Sequence, residues 1–263
     1  MIRFIFLFFL ACLLILQLRE AAAADWQVTD SRSSRTNDPA VDHLRQQVRV
    51  KGEDRRIWID LVLFDDRQVQ LQVVDNPTEP RPHLMEAMKK SGAIAGINGG
   101  YFHPDYRPAG MIVSKGKVVA KPEKAKLLSG AIVVDSDGVE ILRYRELPDV
   151  SSLKAGIQAG PFLIDGGQVV QGLSHDRRAK RTIVATDGGH RHALIVTGPL
   201  TLAQAAEMLD ELTLTPEWKI ERALNLDGGS STTLYVAKPN GAPHYEASWG
   251  TVRNFLALFP NKD

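Results

Sequence analysis

Residues 223–231 read Ala223-Leu224-Asn225-Leu226-Asp227-Gly228-Gly229-Ser230-Ser231. Leu224 and Leu226 alternate with Asn225 and Asp227, and on a strand that spacing puts both polar side chains on one face. The strand must give way at Gly228-Gly229. Two glycines let a backbone approach a ligand closely, and consecutive N–H groups together with the Ser230 and Ser231 hydroxyls can surround phosphate oxygens. A plain hairpin turn also fits, because Asp-Gly between apolar runs is a turn signal. Three further Asp-Gly pairs, Asp137-Gly138, Asp165-Gly166 and Asp187-Gly188, carry only that second meaning. What sets Asp227 apart is its company: an amide two residues before it, and hydroxyl residues from Ser230 to Thr233 after its glycines.

Working outward, short runs of β-branched and aromatic residues recur from Val48 on. They are Ile57 to Phe64, Val69 to Val74, Ala93 to Ile97, Met111 to Val113, Ala131 to Val134, Phe162 to Ile164, Ile183 to Ala185, Ala193 to Val196, Leu224 to Leu226, Thr232 to Val236 and Val252 to Phe259. Separated by Gly, Asp and Asn, such runs are strand signals. Helical periodicity stands out twice, at His83 to Lys90 and at Thr201 to Leu212. In the second, Thr201 and Gln204 have capping-box spacing, and Leu202, Ala205, Ala206, Leu209 and Leu212 share a face. The pattern predicts an α+β fold: a single domain of mixed or antiparallel β-sheets with a few packed helices, over residues 48–263.

Asn98-Gly99-Gly100-Tyr101-Phe102 closes the run Ala93 to Ile97 much as the first stretch closes its own. An amide at a strand end with glycines beside it is a common place for binding residues, and an Asn-Gly hairpin is the competing meaning. Arg177-Arg178-Ala179-Lys180-Arg181 brings four cations to the entry of the run Ile183 to Ala185. A solvated face accounts for most of them. Arg181, nearest the strand, can hold a phosphate through two parallel hydrogen bonds.

These pieces come in one order: Gly96 to Phe102, Gly110 to Gly116, Ala159 to Gly166, Arg181 to Ala185, Leu200 to Ala206, and Ala223 to Ser231. In that order they resemble the phosphodiester glycosidase family, over about Ala93 to Phe259. The resemblance implies a secreted glycosidase acting on sugar-1-phosphate diesters, with Asn98, Arg181, Asn225, Asp227 and the Gly228 to Ser231 loop lining its site. On that implication Asp227, Arg181 and Asn98 are assigned to catalysis, and Asn225, Gly228, Gly229, Ser230, Ser231, Gly99 and Gly100 to substrate binding. Its partner would be a sugar-phosphate or glycan, and neither cofactor nor metal is expected.

The amino terminus reads as an export address. Arg3 precedes an apolar stretch from Phe4 to Leu18, and Ala22-Ala23-Ala24 offers a cleavage site. The stretch is shorter than the roughly 20 residues a spanning helix needs, so residues 1–24 are expected to be a signal peptide of a secreted or periplasmic protein without a permanent membrane anchor. Cys12, the one cysteine, falls inside it. Residues 25–47 are polar, with Ser31-Arg32-Ser33-Ser34-Arg35, and are expected to be a flexible lead into the domain. Basic and acidic residues number 32 and 31, with no cationic cluster interleaved with aromatics, which argues against a nucleic-acid partner.

Other chemistries find less support. Ser151-Ser152-Leu153-Lys154 fits S-x-x-K, but its companion motifs are missing. His190-Arg191-His192 puts two imidazoles on one side of a strand, and an exposed hairpin is expected there rather than a zinc site. Two rival functions remain: a non-catalytic binder of envelope glycan using the same loops, and a metal-dependent phosphodiesterase with Asp227 and Asp187 holding a cation.

Overall fold

The computed structural model describes residues 25–212, 214–215 and 218–261; the expected signal peptide lies outside the described residues. Three sheets make up the fold. The first contains, in spatial order, β1 (Gln27–Arg35), β2 (Val41–Arg49), β3 (Arg56–Asp65), β14 (Arg191–Leu200), β13 (Ala179–Thr186), β15 (Arg222–Asn225), β11 (Phe162–Asp165) and β12 (Gln168–Val169). The second runs β7 (Lys117–Ala120), β6 (Ile112–Ser114), β10 (Ala155–Ala159), β8 (Gly130–Val134) and β9 (Val139–Arg143). The third runs β17 (His244–Glu246), β16 (Leu234–Val236), β5 (Ala95–Asn98), β18 (Asn254–Pro260) and β4 (Val69–Asp75). Every strand pairing among the described residues is antiparallel. The fold is therefore α+β and helix-poor, as the sequence predicts, with the antiparallel alternative realised.

The first sheet is the middle layer. Alternation along its strands sends Ile59, Ile183 and Ile195 to one face, where Ala205, Ala206 and Met208 of a helix cover them. It sends Val62, Val184, Val196 and Leu224 to the other, against Ile97, Ile132, Ile157 and Leu256 of the smaller sheets. The covering helix, Leu202–Glu211, starts where its cap dictates: Thr201 Oγ1 accepts from Gln204 N at 3.1 Å and Gln204 Oε1 accepts from Thr201 N at 3.2 Å. The other helix, Leu84–Ser91, ends at Gly92 in the left-handed region. Its Leu84 and Met88 pack on Tyr235 and Phe255. No helix among the described residues is long and apolar enough to cross a membrane.

Two expectations are corrected. Residues 25–47 are not a flexible lead: β1 and most of β2 lie there, paired along their length. β1 is polar because it is an edge strand with little to bury, and β2 turns the polar His43 and Gln46 inward beside Val41 and Val48, which hides its alternation. His192 is buried rather than exposed, and with His190 it holds Asp66, at 3.1 and 2.8 Å respectively. β10, which the pattern of apolar runs does not mark, has the sequence Ala-Gly-Ile-Gln-Ala and is wholly buried at the centre of its sheet, with Gly156 packed close to Met111 and Leu153. The Asp-Gly hairpins do form, joining β8 to β9, β11 to β12 and β13 to β14. Asp165 goes beyond turn chemistry, pairing with Arg143 and, at 3.1 Å, with Arg222.

Candidate functional site

The ends of β15 and β5, strands of different sheets, meet here. Leu226 N–H donates to Thr182 O at 2.8 Å, which keeps the chain on β13 one residue beyond β15. Asp227 N–H then donates to Gly99 O at 3.3 Å, and the chain has crossed to the third sheet. The two sequence motifs, far apart along the chain, are thereby one structure.

Asn98 fastens this crossing. Its Nδ2 donates to Asp227 O at 2.7 Å, and its Oδ1 accepts from Thr182 Oγ1 at 2.8 Å and from Thr233 N at 3.2 Å. It is buried, so the amide is engaged by protein on both atoms. Gly99 and Gly100 are buried too. A Cβ on Gly99 would lie 2.1 Å from Asn254 Oδ1 and 2.5 Å from Ile157 Cδ1, so the glycine there is required by close packing. Asn254 Oδ1 in turn accepts from Gly100 N at 2.8 Å.

Asn225 works the same way from the other side. Its Nδ2 donates to Tyr101 Oη at 3.1 Å, Gly160 O at 3.2 Å and Leu226 O at 2.7 Å, and its Oδ1 is buried without a partner. Tyr101 Oη donates to Gly160 O at 2.7 Å. Burial, reinforced by the negative charge of Asp227, holds the phenol above its ordinary pKa, so it is a neutral donor at neutral pH. In the sequence Tyr101 stands inside the Asn98 to Phe102 motif with no local pattern that gives it a role. Nothing local marks it, because its partners come from positions 160 and 225.

Asp227 is half-buried, and burial pushes its carboxyl above the usual value. Hydrogen bonds from the Ser231 side chain and the Gly228 N–H oppose that rise, the latter at 2.9 Å. The loop after it tightens into a 3-10 turn, Gly229–Ser231, which starts with Gly229 at φ +63° and leaves Ser230 exposed. Gly228 must be glycine for another reason: a Cβ would meet Lys180 O at 2.8 Å. The N–H of Gly228 is spent on Asp227; the leading N–H groups of the turn have no partner within it.

Arg181, on β13, is half-buried and its charge is felt by Tyr101. Its Nε donates to Leu200 O at 2.8 Å and one Nη2 hydrogen to Arg177 O at 2.7 Å. A guanidinium has five donors, so three remain, and no carboxylate among the described residues pairs with it. Burial lowers its pKa, the mark of a cation held partly out of water. Arg178, by contrast, is an exposed cation on Glu53 at 2.6 Å. Asp187 is remote. It sits beyond Thr186, which pairs with Arg222 at the opposite end of β15 from Asp227, so the two aspartates cannot share a cation. A cleft of about 880 Å³ around Asp66, Gln70, Lys115, Asp137 and Lys154 contains none of these groups. Chemistry rather than cavity size locates the site.

Comparisons with known proteins bear on the family and on the fold. Residues 91–259 match the model of the phosphodiester glycosidase family. Among solved structures, the fold is similar to the catalytic domain of zebrafish N-acetylglucosamine-1-phosphodiester alpha-N-acetylglucosaminidase, auto-inhibited by its pro-peptide. The identity is 17%, the TM-score 0.66, and 89% of each chain is covered. A protein of Synechocystis is similar at 18% identity and a TM-score of 0.58, with 84% of this chain and 62% of that one covered. Among curated proteins none matches the sequence. With most of the three-sheet core, including both motif strands, inside the matched region, the chain belongs to the phosphodiester glycosidase family.

Proposed function

We propose that the protein is a secreted hydrolase that cleaves the C1–O bond of a sugar-1-phosphodiester in glycan or envelope material. One observation carries the reading: the loop that bears Asp227 lies against β13 at Arg181, with Leu226 N–H on Thr182 O at 2.8 Å and a Cβ on Gly228 falling 4.0 Å from Arg181 Cα. A half-buried carboxylate and a half-buried cation with donors to spare thus come from adjoining segments. A site for this reaction must neutralise a phosphate and assist an oxocarbenium-like transition state, and these groups supply both functions.

Arg181 neutralises the phosphate oxygens with its remaining donors, helped by the Ser230 hydroxyl, while the Ser231 hydroxyl stays on Asp227. The C1–O bond breaks, and its electron pair leaves with the phosphate. Phosphate is a good leaving group, so no second carboxyl is needed to protonate it. Asp227 takes the proton of the attacking water, or attacks C1 itself to form a glycosyl ester that water then hydrolyses, freeing the sugar and the carboxylate; burial makes it the stronger base for either task. Asn98 and Asn225 act through others: Asn98 positions Asp227 by holding its carbonyl, and Asn225 positions Tyr101.

Hydrolysis of a sugar-1-phosphodiester in heavy-oxygen water tests the reading. The label is expected in the sugar. Label in the phosphate would mean P–O cleavage, and tight binding without products would make the protein a glycan binder.

A further inference from the structure

Strands of two sheets bring together His43 of β2, Asp60 of β3 and His244 of β17. Among the described residues they are the one group of three histidine, cysteine or acidic side chains whose ligand atoms converge, all within 4.8 Å of one another. His43 and Asp60 are buried, and His244 is half-buried. His43 Nε2 lies 2.8 Å from Asp60 Oδ1, and His244 Nε2 lies 3.1 Å from the same oxygen. The second contact is not a well-directed hydrogen bond, since this buried His244 nitrogen finds no partner at acceptable angles. A polar atom left so inside the protein costs free energy.

A divalent transition ion removes that cost. Four-coordinate zinc takes imidazole nitrogen and carboxylate oxygen at about 2.0–2.2 Å, which sets its ligand atoms about 3.4 Å apart in a tetrahedron. The separations of 2.8 and 3.1 Å need open only slightly. Two nitrogens and one carboxylate suit zinc better than calcium or magnesium, which prefer oxygen alone. Behind the site, His43 Nδ1 lies 3.0 Å from Ser34 Oγ, which can accept its proton and leave Nε2 for a metal. Lys238, 2.9 Å from that Nδ1, keeps its 2.5 Å bond to Ser34 Oγ. Lys238 and Arg45, the latter 3.9 Å from Asp60, are the flanking cations, and they disfavour a weakly held hard ion more than one bonded through nitrogen. His244 also lines an open cleft of about 390 Å³ with Arg45, Trp58 and Pro199, which gives an ion its entry and a fourth position for water.

We propose that His43, Asp60 and His244 bind one divalent ion of the zinc type, which clasps β17 of the third sheet onto β2 and β3 of the first. Free of metal, the same groups hold protons instead, which they must shed to bind it. The clasped strand bears on the candidate site, because Glu246, two residues after His244, pairs with Lys180 next to Arg181. The claim is independent of the proposed hydrolysis, and its test needs no turnover. The full chain, stripped with a chelator, is titrated with zinc, calcium and magnesium and followed by calorimetry and thermal unfolding. Zinc is expected to bind once per chain and raise the melting temperature, with calcium and magnesium leaving it unchanged. Cobalt in place of zinc should give the intense visible absorption of a tetrahedral site. His244→Ala should abolish that absorption and the zinc-dependent rise, and His244→Gln, which preserves the volume, gives the same reading should the alanine variant unfold. Ser34→Ala should weaken zinc binding about tenfold by freeing the His43 ring. His190→Ala, whose ring sits on Asp66 instead, should bind as wild type does. No zinc-dependent rise in the wild-type chain, or binding that survives loss of His244, overturns the proposal.

Discussion

Asn98 Nδ2 donates to the backbone carbonyl of Asp227 at 2.7 Å, across 129 positions of sequence. This bond joins the third sheet to the loop that follows β15, and it fixes the carbonyl of the residue proposed as the catalytic carboxylate.

Asn98→Ala should therefore act on fold and activity together. It leaves the buried Thr233 N–H without its acceptor and frees the Asp227 carbonyl, at a cost of about 2–4 kcal/mol for several buried partners. Denaturant unfolding measures the first effect, and turnover of the surviving folded protein the second. Wild-type stability in this variant would show that Asn98 is not the strut.

Asp227→Asn separates catalysis from folding. Turnover is expected to fall about 10²-fold or more, while the melting temperature holds or rises. The folded pKa of Asp227 lies above its ordinary value, so its contribution to stability is greatest below that value and declines as pH rises through the folded one. At neutral pH the buried charge is a cost, and asparagine removes it while still accepting from Gly228 N–H. A lowered melting temperature with retained activity would make Asp227 a turn residue. Asp137→Asn and Asp187→Asn serve as hairpin controls, expected within about tenfold of wild type. Asp165 is unsuitable because of its arginine pairs.

Arg181→Lys keeps the charge and loses the planar fork. On a sugar-1-phosphodiester kcat/KM should drop roughly ten- to a hundred-fold. An uncharged aryl glycoside of the same sugar offers no phosphate, and its slow hydrolysis should change little. Equal losses on both substrates would mean that the bonds to Leu200 O and Arg177 O matter more than the phosphate.

Acid should weaken the fold through a buried cluster away from the site. Burial lowers the pKa of His43 below 6.5, despite its 2.8 Å contact with Asp60; Lys238 at 2.9 Å and His244 lower it further. Burial raises Asp60, but hydrogen bonds from His244 and His43 outweigh it and bring it to about 2, with Arg45 adding its charge. Both folded values are depressed, so both contributions are present above the ordinary values and lost as pH falls: first from 6.5 downward for His43, then from 3.8 toward about 2 for Asp60. Chemical denaturation across this range should show two declines. His43→Gln should remove the upper one, and a profile that keeps it would place the titration elsewhere.

Much was legible from neighbouring residues alone. The capping box at Thr201 and Gln204 marked a helix start, Asp-Gly pairs marked hairpins, and the apolar alternation around Leu224 marked the strand that carries Asn225 and leads to Asp227, because each signal is carried by residues a few positions apart. The order of the motifs pointed to the family that residues 91–259 match. Only the tertiary structure could give β1 and β10 as strands, since an edge and a crowded centre are properties of what lies alongside. Only it could turn Asn98 and Gly99 toward protein partners, bring Tyr101 to Asn225, and leave Trp249 bare beside Ser230. A side chain's type is written locally, but its hydrogen-bond partner and its depth depend on strands that folding brings from elsewhere in the chain.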